Sequence, residues 1–293
     1  MPKDVVIIFP EKQALGSLYT AERNFPHQRK WVGEARSRVV IQVPDDRMLG
    51  IALSSMGWEG LASLPAAESE LLESLDASTS QFSERVVSAY SAVKSVIEIR
   101  LDYLKVSDAE IRLLHKFENL KTLWLTGTEI SDSSLKELSD FKHIHNIVLK
   151  STAVTDQGLA NLRQLDSLEG LNLPSQITDN GLDYLKNFPS LKRLDLSFTK
   201  ISNDGIKRLA DLENLSELYL NDTGIGDDGL TAVQQLKALK SIFLSGTKVS
   251  DSGLKHLEPC ENLEHLELRD TKATEIGVAR LRSKLTNCAI FGP

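Results

Sequence analysis

The sequence predicts an α/β solenoid, in which a curved parallel sheet lines the concave face, short helices form the convex face, and a small N-terminal β cap closes one end. Three observations support this fold class. A segment of 23 or 24 residues repeats along most of the chain. Each copy opens with the alternating apolar pattern of a strand and ends with apolar residues at helical spacing. A polar Ser/Thr-Asp pair recurs between the two segments, as expected where a helix begins.

The repeat keeps one register through eight copies, and the spacing between successive copies is 24 residues with a single exception of 23. Such regular periodicity indicates stacked supersecondary units that share one continuous core. The first residues of the copies are Val96, Leu120, Ile144, Leu168, Leu191, Leu215, Leu239 and Leu263. A ninth start at Leu285 is truncated and predicts a closing strand.

Two further polar features recur in most copies. The Ser/Thr-Asp pairs predict helix N-termini, whose free N–H groups need short polar acceptors. A column of threonines after the strands predicts a buried ladder of hydroxyls that bond neighbouring turns; it comprises Thr128, Thr152, Thr199, Thr223, Thr247 and Thr271. The 23-residue copy lacks this threonine because it drops one residue after Leu173, where Pro174 follows.

The pattern L-x-x-L-x-L-x-x-T-x-[IV]-[ST]-D-x-G-L-x-x-L resembles the leucine-rich-repeat family. It is similar to the 24-residue bacterial type and to the cysteine-containing repeats of F-box proteins, with threonine where many members carry Asn or Cys. The resemblance covers at least residues 96–293. It implies a bacterial source and a solenoid that binds its partners on the concave face.

Four regions follow from this register. Residues 1–45 are predicted to form the β cap, residues 46–95 degenerate leading repeats, residues 96–284 eight regular repeats, and residues 285–293 the closing strand. In the cap and the first degenerate repeat, the predicted strands are Val5–Phe9, Val39–Val43 and Leu49–Leu53, with a turn at Pro44-Asp45-Asp46. The degenerate repeats are assigned from Leu49, Ile51, Gly60, Leu61, Leu64, Leu72, Leu75, Phe82, Val87 and Tyr90.

The 293-residue chain has a formal net charge of −7 and two cysteines, Cys260 and Cys288. A mildly acidic chain is not built to bind nucleic acid, and two cysteines imply no disulfide framework. The N-terminal apolar run is too short for a signal sequence or a membrane span. We therefore expect a cytoplasmic monomer, or a secreted or periplasmic protein if a signal peptide has been removed.

No candidate for catalysis or cofactor binding survives inspection of the register. Gly224-Ile225-Gly226-Asp227-Asp228-Gly229 matches a dinucleotide motif, but these residues occupy ordinary repeat positions and the carboxylates would repel a pyrophosphate. The acidic residue that follows the Ser or Thr at the predicted start of most helices forms a column through the repeats. Helix capping explains this acidic column better than a metal site does. The histidines do not cluster; they are His27, His115, His143, His145, His256 and His265. We expect no enzyme activity, no metal and no cofactor.

Aromatic and charged residues on the predicted concave face form the candidate binding site. Packing within the repeat does not demand aromatic residues at solvent-facing positions, whereas protein interfaces favour them. Tyr219 and Phe243 lie on adjacent strands, Phe198 is expected to extend their cluster, and Trp124 belongs to a second contact. The predicted partner-binding residues are Trp124, Phe198, Tyr219, Phe243, Arg193, Asp195, Glu267 and Arg269.

The sequence therefore predicts an interaction module that binds an unidentified protein. One alternative is an inhibitor or regulator that sequesters an enzyme, as in repeat proteins similar to ribonuclease inhibitor. Another is an enzyme or effector whose chemistry lies in residues 1–45, although this segment has one histidine, no cysteine and no nucleophile motif.

Overall fold

The computed structural model describes residues 3–8, 16–22, 29–35, 38–43, 47–53, 71–78, 84, 87 and 94–293. The chain divides into two compact units, Met1–Ile130 and Ser131–Pro293. Several predicted features lie outside the described residues: Phe9, the turn at Pro44-Asp45-Asp46, and the repeat positions Gly60, Leu61, Leu64, Phe82 and Tyr90, together with His27.

The first unit contains eight strands and one α-helix whose bounds lie within its described residues, and Glu84 and Val87 are also helical. The strands are β1 Lys3–Ile8, β2 Gly16–Glu22, β3 Arg29–Glu34, β4 Arg38–Val43, β5 Arg47–Leu53, β6 Ser74–Asp76, β7 Glu98–Arg100 and β8 Thr122–Trp124. Helix α1 spans Asp108–Ile111 and continues as a 3₁₀ turn over Arg112–Lys116. The predicted strands Val5–Phe9, Val39–Val43 and Leu49–Leu53 therefore overlap β1, β4 and β5, respectively.

Strand β5 joins two kinds of pairing. It pairs antiparallel with β2, so that Tyr19 lies opposite Gly50, and it pairs parallel with β6, so that Ile51 lies opposite Leu75. Strand β3 pairs antiparallel with β2, while β6, β7 and β8 follow in parallel register. Strands β1 and β4 form a separate antiparallel pair. The parallel order therefore begins at β5.

The second unit contains seven parallel strands in chain order. They are β9 Asn146–Val148, β10 Gly170–Asn172, β11 Arg193–Asp195, β12 Glu217–Tyr219, β13 Ser241–Phe243, β14 His265–Glu267 and β15 Ala289–Phe291. Its helices are α2 Asp132–Leu138, α3 Asp156–Leu159, α4 Asp179–Leu182, α5 Asn203–Lys207, α6 Asp227–Val233, α7 Asp251–Leu254 and α8 Glu275–Arg282. Among the described residues, 3₁₀ turns follow α3, α4 and α7 at Ala160–Leu162, Leu185–Asn187 and Lys255–Leu257.

The core of the second unit consists of repeated apolar positions. The middle residue of each strand is buried, as Leu194 and Leu218 show, and the helices bury Leu182 or its equivalents against it. The first and third residues of a strand lie on the opposite side, since side chains alternate along a strand. We call this opposite side, within β9–β15, the strand face.

The acidic column connects neighbouring repeats. Asp156, for example, accepts hydrogen bonds from the Thr178 N–H at 2.9 Å and the Thr178 hydroxyl at 2.5 Å, although Thr178 belongs to the next repeat. Four further pairs repeat this arrangement: Asp132–Thr155, Asp179–Ser202, Asp227–Ser250 and Asp251–Thr274. The prediction that helix capping explains this column is therefore incomplete. In four of the five pairs the Ser or Thr hydroxyl caps the helix, with Thr155 as the exception, while the aspartate bonds to the next repeat.

The threonine column closes turns within single repeats. Thr223 Oγ1 donates to the Leu220 carbonyl at 2.7 Å, three residues earlier in its own repeat, and the other five threonines do the same. The predicted bonding between neighbouring turns is therefore wrong. The geometry follows from the residue before the threonine, which has positive φ in most copies, as at Gly127 and Gly246.

The 23-residue copy keeps the strand register despite its deletion. Strand β10 pairs in parallel with both β9 and β11 without a shift. In place of the missing threonine, the Gln176 side chain donates to the Thr152 and Val154 carbonyls of the preceding repeat. A side-chain amide thus satisfies backbone acceptors where the turn is one residue shorter.

The last strand is partly blocked at its outer edge. Strand β15 pairs with β14, and the Arg282 guanidinium donates to the Ile290 carbonyl at 2.8 Å. An arginine bond to an edge carbonyl hinders the addition of a further strand.

In the described residues, no helix is long and apolar enough to cross a lipid bilayer.

Candidate functional site

Tyr219 and Phe243 form the centre of an aromatic row on the strand face. They are directly paired in the parallel register of β12 and β13, and their rings stack with centroids 4.2 Å apart and planes within 2° of parallel. Both side chains are half-buried. The sequence prediction that these two rings lie about one strand spacing apart agrees with this geometry.

Two residues that the sequence analysis left out continue the row. The His265 ring lies 4.9 Å from the Phe243 ring, and the Phe291 ring lies 4.9 Å from the His265 ring. We call Tyr219, Phe243, His265 and Phe291 the aromatic ladder. Phe291 occupies the same repeat column as Tyr219 and Phe243, so extending that column into the truncated ninth repeat would have found it. His265 stands two residues before that column, on the same face.

Phe198 is not part of the stacked row. Among the described residues, the ring contacts on this face join the four ladder residues and leave Phe198 out. Phe198 has φ of 65° and a relative exposure of 63%. Its backbone occupies the left-handed position that Gly246 fills in a later repeat. The ring therefore projects from the turn after β11.

The predicted charged residues of the strand face pair with one another or with near neighbours. Arg193 Nε lies 3.3 Å from Glu217, and Lys150 Nζ lies 3.0 Å from Asp195. Arg269 Nε lies 3.1 Å from Glu267. Each of these pairs is neutral as a whole, so the face has mixed charge without a single-sign field.

The Tyr219 hydroxyl is fixed by the same charges. It donates to Glu217 Oε2 at 3.2 Å. Burial of the ring, together with the adjacent Glu217 carboxylate, raises the pKa of Tyr219 to about 12. Tyr219 therefore carries a neutral phenol, and its hydrogen bond to Glu217 fixes the side chain at one end of the ladder.

Trp124 lies in the first unit and has a different environment. The Arg100 guanidinium lies 3.5 Å from the centroid of the Trp124 ring system, in a cation–π arrangement. Arg100 also lies 3.5 Å from Glu98 and 3.7 Å from Asp102. Trp124 is thus half-buried against its own chain.

A buried polar network occupies the neighbouring strands of the first unit. The Tyr19 hydroxyl and Ser74 Oγ are 2.6 Å apart, and Ser74 donates to Glu98 Oε1 at 2.6 Å. Arg29 pairs with Asp76 and lies over the Tyr19 ring. Glu98 is 1% exposed, and burial raises its pKa. Tyr19 and Ser74 are fully buried, which leaves this network a structural one.

The glycine motif offers no phosphate cradle, because its backbone amides are already bonded. The Gly224 N–H donates to the Ile201 carbonyl, the Gly226 N–H to Asn203 Oδ1, and the Gly229 N–H to the Gly226 carbonyl. A phosphate loop needs several such amides free to point at the ligand. Within the described ranges, no group of three or more His, Cys, Asp or Glu residues could hold a metal ion.

The two cysteines lack the features of a reactive thiol. Burial raises the pKa of Cys260, and it raises the pKa of Cys288 to about 11. A nucleophilic cysteine instead needs a lowered pKa. Among the described residues, the ladder and its charged surroundings are therefore the best candidate for a binding surface.

Comparison with known proteins agrees with the repeat architecture. A family model described as a leucine-rich repeat matches residues 189–210 and 212–233. Internalin C2 from Listeria monocytogenes is 24% identical over 71% of this chain and 83% of that chain, with a TM-score of 0.52. A second internalin from the same bacterium is 18% identical over 84% of this chain and 86% of that one, with a TM-score of 0.53.

No curated protein matches the sequence. At these identities, the similarity between this chain and the two solved structures concerns the fold alone. The repeat register, the family model and the structural matches together show the fold of a leucine-rich-repeat solenoid.

Proposed function

We propose that this protein is a non-enzymatic interaction module that binds a protein partner on the strand face of its second unit, with the aromatic ladder at the centre. The ladder is the observation that carries this proposal. The equivalent strand positions of neighbouring repeats hold Asn172, Asp195 and Glu267, so packing of the repeat does not require rings there. Aromatic residues that are half-exposed without a packing need are typical of binding surfaces.

The remaining predicted residues take roles around this centre. Phe198 supplies an exposed ring beside the ladder, while Arg193, Asp195, Glu267 and Arg269 form a polar rim whose charges are already oriented by ion pairs. Such preorganised charges favour specificity more than affinity. Trp124, with Arg100 over its ring, is proposed as a second contact.

The alternative function, an inhibitor that sequesters an enzyme, would use the same face. The paired charges of the strand face favour neither a strongly basic nor a strongly acidic target. A general interaction module is therefore the better-supported proposal.

Site-specific photo-crosslinking in a lysate of the source organism tests the proposal. A benzophenone amino acid at Ser241, beside the ladder on β13, should capture a protein that the same probe at Lys255, on the helix side, does not capture. A Tyr219→Ala/Phe243→Ala double variant carrying the Ser241 probe should lose that product. Equal capture at both positions, or capture that survives the double substitution, would contradict the proposal.

A further inference from the structure

We infer that the aromatic ladder binds an aromatic side chain of the partner protein. The face of that side chain's ring lies on the solvent-facing rims of the ladder rings. This inference rests on the proposed function and adds the chemistry of the contact. Its evidence is the orientation of the stacked rings and the charge that surrounds them.

The stacking direction shows which part of each ring faces solvent. Tyr219 and Phe243 are register partners on adjacent strands, which are about 4.8 Å apart, and their parallel rings have centroids 4.2 Å apart. The stack therefore runs across the strands, and the ring planes stand upright on the sheet. The two faces that meet in the stack are covered, and part of each ring rim points away from the core.

The rim of an aromatic ring is its electropositive part, because the quadrupole concentrates negative charge on the ring face. Two groups complement a row of such rims: an anion, or the face of another aromatic ring in a T-shaped arrangement. An aliphatic side chain fills space there but gains nothing from the quadrupole.

The surrounding charge does not favour an anion. The ion pairs Lys150–Asp195, Arg193–Glu217 and Arg269–Glu267 cancel. In the turns after β12, β13 and β14, Asp222 and Asp270 are exposed and form no ion pair with a described residue, and the same is true of Lys248 and Lys272. These four charges balance, so the row has no positive field that would attract an acidic group. The π-face of a Trp, Tyr or Phe side chain is uncharged and meets the rims with the complementary sign.

The size of the expected preference follows from measured aromatic pairs. An aromatic pair contributes more binding free energy than the burial of its surface area alone, and the extra amount corresponds to about two- to tenfold in affinity. An aromatic probe should therefore bind more tightly than an aliphatic probe by about this factor.

The test uses three uncharged or singly charged amino-acid probes and NMR shift perturbation. N-acetyl-tryptophanamide should shift the signals of Tyr219 and Phe243 at lower concentration than N-acetyl-leucinamide, by about two- to tenfold, and N-acetyl-aspartamide should not shift them. Phe243→Leu, which keeps an apolar residue but interrupts the stack, should remove the preference. Ile276→Ala, at an exposed apolar residue of helix α8 outside the strand face, should preserve it, with folding checked by the unfolding midpoint.

Several results would overturn the inference. Equal shifts with the leucine probe, stronger binding of the aspartate probe, or absence of any shift at the ladder would each do so. Capture of a partner through the Ser241 crosslinker, combined with one of these results, would leave the proposed function intact and reject only the aromatic contact.

Discussion

A glycine-to-alanine substitution in helix α4 tests the hydrogen bonds that Asp156 accepts from Thr178 of the next repeat. Alanine in a helix is normally more stable than glycine by about 0.5–1 kcal/mol. Gly181, however, faces Asp156 of the preceding repeat, and a Cβ added there would lie 2.5 Å from Asp156 Oδ1. We therefore expect Gly181→Ala to destabilise the protein, contrary to the helix propensity.

The magnitude follows from the bonds that Asp156 makes. Ordinary van der Waals contact begins near 3.4 Å, so the carboxylate must retreat by about 0.9 Å (3.4 minus 2.5). This displacement is enough to break one of its two bonds to Thr178, which are 2.9 and 2.5 Å long. A hydrogen bond to a charged group contributes about 1.5–3 kcal/mol. After subtraction of the helix gain, the expected net loss is about 1–2 kcal/mol.

A double-mutant cycle supplies the matched control. Asp156→Ala alone should lose both hydrogen bonds to Thr178. Gly181→Ala in that background should be neutral or stabilising by up to about 1 kcal/mol, because the obstructing carboxylate oxygen is gone. Gly229→Ala should cost less than Gly181→Ala, since a Cβ there would lie 2.8 Å from Asn203 Oδ1 and Asn203 accepts one bond, from Gly226, in place of two.

Urea unfolding followed by circular dichroism measures each free energy. A stabilising effect of Gly181→Ala in the otherwise unchanged protein would refute the reasoning. So would the same effect in both backgrounds, because the glycine and the aspartate would then not be coupled.

Four further predictions concern single side chains. Because the folded state holds the pKa of Tyr219 at about 12, above its usual value of 10.0, stability should be lost as pH rises from about 10 through 12. Tyr219→Phe should lose less stability over this range in urea midpoints, while the loss from Tyr19, whose pKa burial also raises, should remain. The pKa of Glu98 is raised by burial, so its contribution is present at acidic pH and lost as pH rises through the folded pKa. Glu98→Gln should gain stability relative to the unsubstituted protein as pH rises above the usual glutamate value of 4.5. Phe198→Gly should raise the melting temperature, since relief of the positive φ gives about 1 kcal/mol; an unchanged or lower temperature would contradict this. Gln176→Ala should cost about 1–2 kcal/mol in urea unfolding, because two backbone carbonyls lose their donor.

The sequence was sufficient to predict the regular part of the fold. Leu194, Leu218 and their equivalents recur at fixed spacing and are buried in the structure, because each repeat hides its apolar residues against the same residues of its neighbours. The parallel register of the strands follows from this repetition, and with it the adjacency of Tyr219 and Phe243. These features depend on local pattern and on stacking of like upon like.

The partners of polar side chains were less predictable. Asp156 was interpreted from its own helix, whereas it bonds to Thr178 of the next repeat. Thr223 was expected to bond across repeats, whereas it closes its own turn. Both choices depend on side-chain direction over distances of about 3 Å, which residue spacing does not specify.

The sequence by itself determined that the chain forms a repeat of strand and helix with one buried and one open side. The tertiary structure decided which open side chains meet: it placed His265 and Phe291 in the ladder, left Phe198 outside it, and covered Tyr19 and Ser74 within the first unit. The physical reason is that burial of apolar residues is encoded by periodicity, which a linear pattern displays. Contacts between side chains on an open face depend on ring orientation, turn geometry and cross-strand distance, and these exist once the repeats have stacked.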